Sequence, residues 1–424
     1  MRASARSVVG IALGPLATIG CAAGVSRTSR LPDVSAIEAT PYALLNGRWF
    51  DGDSFVGRTA YVADGKLTFV RPTSVRGTLD LAGGYVIPPL TEAHNHNLGG
   101  YSQDTAALRA YLDAGVFYVK ILSYLPRMTD PVRHLFNNPR SVDVVFANGG
   151  LTGSGGHPIR LRERLLDQGV YPGFTRETLK DHAYFVIDNA TDLETKWPLV
   201  LAGRPDFIKV ILVYTEEFAK RRDDTAYFGM KGLDPDLVPR VVAKARQYGL
   251  RVSAHTNTAT DFRNAIRGGV DEIAHLPGFD APSLLSDADI EAAKAAGVTV
   301  VTTASLANRR KQSPELFARI QEAQRSNLSR LIAAGVPVAI GSDNYDDTSV
   351  GEALYLKELG IDNRTLLRMW TENGARTAFP GRRIGALREG YEASFLVLAA
   401  NPLDDIANVR RIVLAVKEGA ILRR

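Results

Sequence analysis

RVSAHTNTATDFRNAIRGGVDEIAHLPG, Arg251–Gly278, holds two short apolar runs that each end in a histidine, with a helical pattern between them that closes on Gly268-Gly269. The runs are Arg251–His255 and Glu272–Leu276. A strand, a helix and a second strand in series imply parallel pairing, because parallel neighbours need a crossover between them.

The same alternation extends in both directions. Strands are expected near Val116–Leu122, Val142–Ala147, Phe207–Val213, Thr299–Thr303 and Pro337–Gly341, with one more in the run that ends YVIPPLTEAHNH, Tyr85–His96. Helical patterns lie between many of them. DLVPRVVAKARQYG (Asp236–Gly249), DADIEAAKAAG (Asp287–Gly297) and ELFARIQEAQRSNLSRLIAAG (Glu315–Gly335) all stop at a glycine, as helices often do. Eight strand–helix units predict an α/β fold, a (β/α)8 TIM-like barrel, whose chemistry sits at the C-terminal ends of its strands.

The two ends of the chain read differently. YALLNGRWFDG, TAYVADGKLTFV and GTLDLAGGYVIP are short strand patterns broken at Asn-Gly, Asp-Gly and Gly-Gly. GYEASFLVLAANP and VRRIVLAVKEGAILRR return to that style. The expected organisation is a small β-sandwich built from residues 41–88 and 378–424 around a barrel at 89–377.

Residues 1–30 form a third kind of segment. Arg2 and Arg6 precede VVGIALGPLATIG, a 13-residue apolar stretch that ends at Cys21, the single cysteine. It is too short to span a bilayer and fits a secretory signal peptide. TIGC resembles the lipobox of bacterial lipoproteins, although Thr18 stands where leucine is usual; cleavage after Ala22-Ala23-Gly24 is the alternative. Export to the periplasm, free or as a lipoprotein anchored through Cys21, is expected. With one cysteine no internal disulfide forms, and any metal must rest on histidine, carboxylate or lysine-derived ligands.

Composition limits the rest. The 424 residues are 45% hydrophobic and 23% charged, enough for a large core. The net charge is +5, but basic residues are interleaved with acids, which argues against a nucleic-acid surface.

Chemistry-bearing residues collect at the predicted strand ends. His94 and His96 lie two apart on one strand, so both imidazoles face the same side. His255 and His275 end the two runs quoted first, and Asp343 follows the last strand in VAIGSDNY. Four of the seven histidines thus fall at strand ends of one barrel. Lys209 lies inside DFIKVILVY, where an unpaired cation is costly. Burial favours its neutral amine, which can take up CO2 as a carbamate able to bridge two cations. Lys120, in FYVKILSY, is a competitor for that role, or a strand-end lysine that pairs with an acid or binds a substrate carboxylate.

This order of residues resembles the amidohydrolase superfamily, in its binuclear branch. The resemblance runs from Tyr42 to the C-terminus and includes GRRIGALREGYEASFLVLAANPLDD, Gly381–Asp405. Val252–Gly278 resembles imidazolonepropionase and Xaa-Pro dipeptidase-like members, and GSGGHP, Gly153–Pro158, resembles the loop after strand 3 of the latter. It implies two divalent metal ions, with zinc well suited to such ligands. His94, His96 and Asp343 would hold the first, His255 and His275 the second, and a CO2-derived carbamate on Lys209 would bridge them. A hydroxide shared by the metals would attack the substrate carbonyl, with Asp343 as general base and then acid. One departure is PPLTEAHNH, where relatives commonly carry Pro-Gly and an acidic residue before the first histidine, which points to a divergent subgroup.

Secondary candidates remain open. His157 either binds substrate over the metals or caps its loop. Tyr214 either polarises the scissile carbonyl or packs. His134 and His182 read as surface histidines, and KRRDD, Lys220–Asp224, as a solvated charge run whose Arg221 or Arg222 could meet an anion. The leading expectation is hydrolysis of a C–N bond in a small molecule or short peptide. Lactone or phosphotriester hydrolysis would use the same metals. A deaminase is disfavoured because HTNTATD lacks a glutamate after His255. A binding protein on a decayed barrel would be expected to have lost ligands, and all six are present. A homo-oligomer is expected by analogy.

Overall fold

The computed structural model describes residues 40–99 and 104–422. The export segment with Cys21 lies outside the described residues. No helix among the described residues is long and apolar enough to cross a membrane.

Eight strand positions form the barrel: β1 (Leu90–Asn95), β2 (Val116–Ile121), β3 (Asp143–Phe146, resumed at Gly150–Thr152), β4 (Ile208–Ile211), β5 (Val252–His255), β6 (Glu272–Ile273), β7 (Thr299–Val301) and β8 (Val338–Ala339). Neighbours pair in parallel: Tyr118 with Asp143, Leu151 with Val210, Lys209 with Ser253, Ser253 with Glu272, Glu272 with Thr299 and Val300 with Val338. The seam between β8 and β1 closes through Ala93 N donating to Ile340 O (3.0 Å) and Asp343 N donating to His94 O (2.7 Å). The strands are buried along their length, as expected of a parallel sheet covered by helices.

Local sequence sets the helix ends. Thr258 caps helix Ala259–Arg267: its side chain accepts from Asp261 N while the Asp261 side chain accepts from Thr258 N. Ser286 and Asp289 repeat the device at Asp287–Ala296. Gly297 and Gly335, with φ of 64° and 82°, end the two helices that the sequence pattern closes there. The pattern from Asp236 divides instead. A 3-10 turn, Pro235–Leu237, leads into an α-helix over Val238–Gln247, with Pro239 in its first turn.

Strands from both chain ends join one eight-stranded sheet, in which Phe395–Leu398 pairs with Tyr85–Ile87. The sheet curls over: Leu67 N donates to Tyr391 O and Gly390 N to Leu67 O. Trp49, Val62, Leu67, Phe395 and Val416 fill the interior of the curl. The barrel and its helices share a separate, larger core. Charge ties the sheet to the barrel. Lys417 Nζ, fully buried, lies 2.8 Å from Asp143 Oδ1 at the start of β3, and Arg382 holds the other oxygen at 2.6 Å.

Candidate active site

The C-terminal ends of the strands open into a cavity of about 650 Å³ that is lined by all six residues expected as ligands. His94, near the end of β1, and His96, just past it, stand side by side, their Nε2 atoms 3.3 Å apart. Asp343 Oδ1 stands 3.3 Å from His96 Nε2 and 3.8 Å from His94 Nε2. His275 lies between two groups, its ring centroid 4.4 Å from His94 and 4.3 Å from His255. One ligand atom each of His94, His275 and Asp343 all fall within 4.8 Å of one another. In this geometry His275 stands with the expected first group as closely as with His255.

The second nitrogen of each ring is anchored. His94 Nδ1 meets Ala274 O at 2.8 Å and His96 Nδ1 meets Ser123 O at 3.2 Å. A carbonyl only accepts, so both Nδ1 atoms carry the proton and Nε2 is left with its lone pair. His275 Nδ1 pairs with Thr303 Oγ1 (2.9 Å), whereas His255 uses Nε2, toward Asn257 Oδ1 (2.7 Å). Burial holds all four imidazoles well below their ordinary pKa, in the neutral form that binds metals.

Lys209 on β4 is buried, and its Nζ has no hydrogen-bond partner among the described residues. Burial pushes its pKa down to about 7 against the pull of Glu272 and Asp343. Lys120 differs. Its Nζ bonds Glu272 Oε2 at 2.7 Å and lies 4.2 Å from the centre of the Phe207 ring. Asp343 is pushed up to about 6 by burial, opposed by Arg309 and Lys209. An orphaned amine among neutral imidazoles and a carboxylate is a donor set that fits divalent cations, with the amine as the position that still needs an anion.

His157 is stacked on His255 with ring centroids 4.8 Å apart, and burial, then Lys209 and Arg162, lowers its pKa to about 4. Tyr214 lines the cavity with φ 53°, its ring 4.1 Å from the Arg221 guanidinium. Arg221 itself is bound to Glu217 and Met230 O. His134 and His182 are exposed and away from the cavity lining.

Several supporting residues escaped the sequence reading. Glu92, fully buried, accepts from Ser342 N and Oγ, both at 2.7 Å, which joins β1 to the segment that carries Asp343. Asp261 accepts from Thr215 N, Asn257 N and Thr258 N, joining the loops after β4 and β5. Its place in a capping pattern was the available signal. Tyr345 stacks on His96, with centroids 5.5 Å apart.

The family model for the amidohydrolase family matches residues 187–422, more than half of the sequence. The chain belongs to the amidohydrolase family. Among other members, ochratoxinase of Aspergillus niger is 28% identical over 210 residues, 47% of this chain and 42% of that protein. Imidazolonepropionase of Chromobacterium violaceum is 28% identical over 174 residues, 39% of this chain and 38% of that one. The amidohydrolase chain thus matches well under two thirds of the length of these curated relatives. By structure it resembles a Xaa-Pro dipeptidase with bound methionine (TM-score 0.70, 16% identity, 91% of this chain and 100% of that one). A. niger ochratoxinase resembles it equally (TM-score 0.69, 20% identity, 91% and 96%). Both likenesses bear on fold, and they agree with a barrel that carries a β domain.

Proposed function

We propose that this amidohydrolase-family chain is an exported metal-dependent hydrolase of an amide or peptide-like C–N bond. The observation that carries the reading is the Lys209 amine, buried, unpartnered and held near neutrality at the centre of the ligand cluster. A neutral amine adds CO2 and releases a proton to become a carbamate, which supplies the anion that the cluster lacks. His94, His96, His255, His275, Asp343 and the carbamate of Lys209 would then hold two divalent ions, zinc being well suited to them. When bound, the ions acidify water and polarise a carbonyl, so that a nucleophile exists at neutral pH.

The remaining work falls to the chain's own groups. Asp343, with a pKa near 6, takes the proton of the attacking water and returns it to the leaving nitrogen. Tyr214 is kept protonated by burial, which raises its pKa, and can donate to the carbonyl oxygen. His157 stays neutral and offers a hydrogen bond to substrate from above His255. Water and amide yield a carboxylic acid and an amine.

The test is turnover by zinc- and bicarbonate-loaded protein on Xaa-Pro dipeptides and N-acyl amino acids, the first suggested by a relative's name. Asp343→Asn should reduce kcat by about 10²–10⁴-fold. Turnover equal in that variant would refute the assignment. Export is supported by Arg2, Arg6 and the apolar run before Cys21. It is checked by whether the full chain is recovered in the periplasmic or membrane fraction, and the lipid anchor by whether Cys21→Ala releases it from the membrane.

A further inference from the structure

The cations of the cavity wall are not alike. Arg310 is paired with Asp280 at 3.1 Å. Arg162 is buried and committed to Ser123 O and Oγ, both at 2.8 Å, and to the Tyr171 hydroxyl. Arg164 and Arg309 are exposed on the same wall, and neither guanidinium has a hydrogen bond or ion pair among the described residues. Of the two, Arg309 is the one whose charge reaches Asp343 and Tyr345, on the side of the ligand cluster.

Arg309 is also presented rigidly. It belongs to the 3-10 helix Ala304–Arg310, which follows β7 after Thr303, a residue with φ 46°. Buried Glu352 accepts from Ala304 N (2.7 Å) and Ser305 N (2.8 Å) at the start of that helix. Gln324 Nε2 donates to Ala304 O at 2.9 Å. A guanidinium on a fixed backbone matches a carboxylate with two parallel hydrogen bonds. Neither acid that lines the cavity is ion-paired with it, since Asp280 is used by Arg310 and Asp343, though it feels the Arg309 charge, lies against the histidines. Phe279, Leu306, Met230 and Leu165 make much of the remaining wall apolar.

We propose that Arg309 is the carboxylate receptor of this chamber, and that the amides cleaved here carry a free carboxylate on an apolar or aromatic body. This rests on the reading of the cavity as the substrate chamber. Arg309 acts on selectivity: it holds the anionic group while the scissile bond lies toward His94, His96 and Asp343.

The experiment compares 3-phenylpropanoate with neutral 3-phenylpropan-1-ol by titration calorimetry on the zinc-loaded protein, neither probe being hydrolysable. In parallel, kcat/KM is measured for N-acetylphenylalanine and its carboxamide. Wild type should favour the carboxylate in both pairs, and the preference should fall about ten- to a hundredfold in Arg309→Met. Arg309→Lys should recover part of it, and thermal unfolding checks that both variants fold. No preference in wild type, or an undiminished one in Arg309→Met, overturns the proposal. A preference in binding with no hydrolysis of any amide would leave the receptor standing and count against the hydrolase reading instead.

Discussion

Lys209 and Lys120 lie in similar apolar strands and end in opposite surroundings. The Lys120 ammonium is neutralised by Glu272, which Ser253 Oγ and Thr377 Oγ1 also contact. The Lys209 amine has no hydrogen-bond partner among the described residues. Lys120→Met should therefore cost about 3–5 kcal/mol in urea unfolding, because it leaves Glu272 buried without its counter-charge. Zinc uptake by the folded variant should match wild type. Loss of zinc uptake in Lys120→Met at unchanged stability would reverse the two roles. The sequence put His94, His96, Lys209, His255, His275 and Asp343 within reach of one another because strand alternation alone brings strand ends together. Strand order favoured Lys209, but nothing in the sequence showed what pairs Lys120, since Glu272 sits four strands away around the barrel in a register that only the folded barrel defines. Glu92, Ser123 and Arg162 were hidden for a similar reason: each acts by bonding a segment that is remote in sequence.

At the scale of elements, the strand ends do what the sequence pattern could not specify. Apolar runs suggested strands to Leu276 and to Gly341, and the regular strands end earlier, at Ile273 and Ala339. Inter-strand hydrogen bonds continue past those points, Leu276 N to Thr302 O and Asp343 N to His94 O, and carry His275 and, with φ 48°, Asp343 to the cavity. β3 is interrupted in the same way around Asn148, with φ 58°. Gly341 shows how tight the closure is, because a Cβ there would lie 2.6 Å from His94 N and 2.8 Å from His94 Cβ. Gly341→Ala must push β8 off β1, which shifts Asp343 relative to the histidines. The expected result is a loss of about 1–3 kcal/mol in stability, with weaker zinc binding in the fraction that folds. Calorimetric zinc titration alongside urea unfolding checks both parts.

At the scale of the whole molecule, both chain ends build one sheet, and that sheet is bolted to the base of the barrel. The legible part was the strand style shared by the two ends. The hidden part was the bolt. Lys417 reads as one more basic residue in a C-terminal strand, yet it is fully buried against Asp143, Asn138 O and Glu418. Lys417→Met leaves Asp143 with Arg382 alone and should cost about 3–5 kcal/mol, read as a lower urea midpoint. An unchanged midpoint would mean the sheet holds to the barrel by its apolar contacts.

The central claim is that a carboxylated Lys209 completes a two-ion centre. The most direct measurement is zinc content per chain after reconstitution with and without bicarbonate, across pH, in wild type and Lys209→Ala. Lys209 must lose its proton to add CO2, so with its pKa lowered to about 7 uptake should be full above that pH and fall away below it. The prediction is two ions per wild-type chain, dependent on bicarbonate, and fewer in Lys209→Ala whatever the bicarbonate. Equal zinc in both proteins, indifferent to bicarbonate and pH, would contradict it.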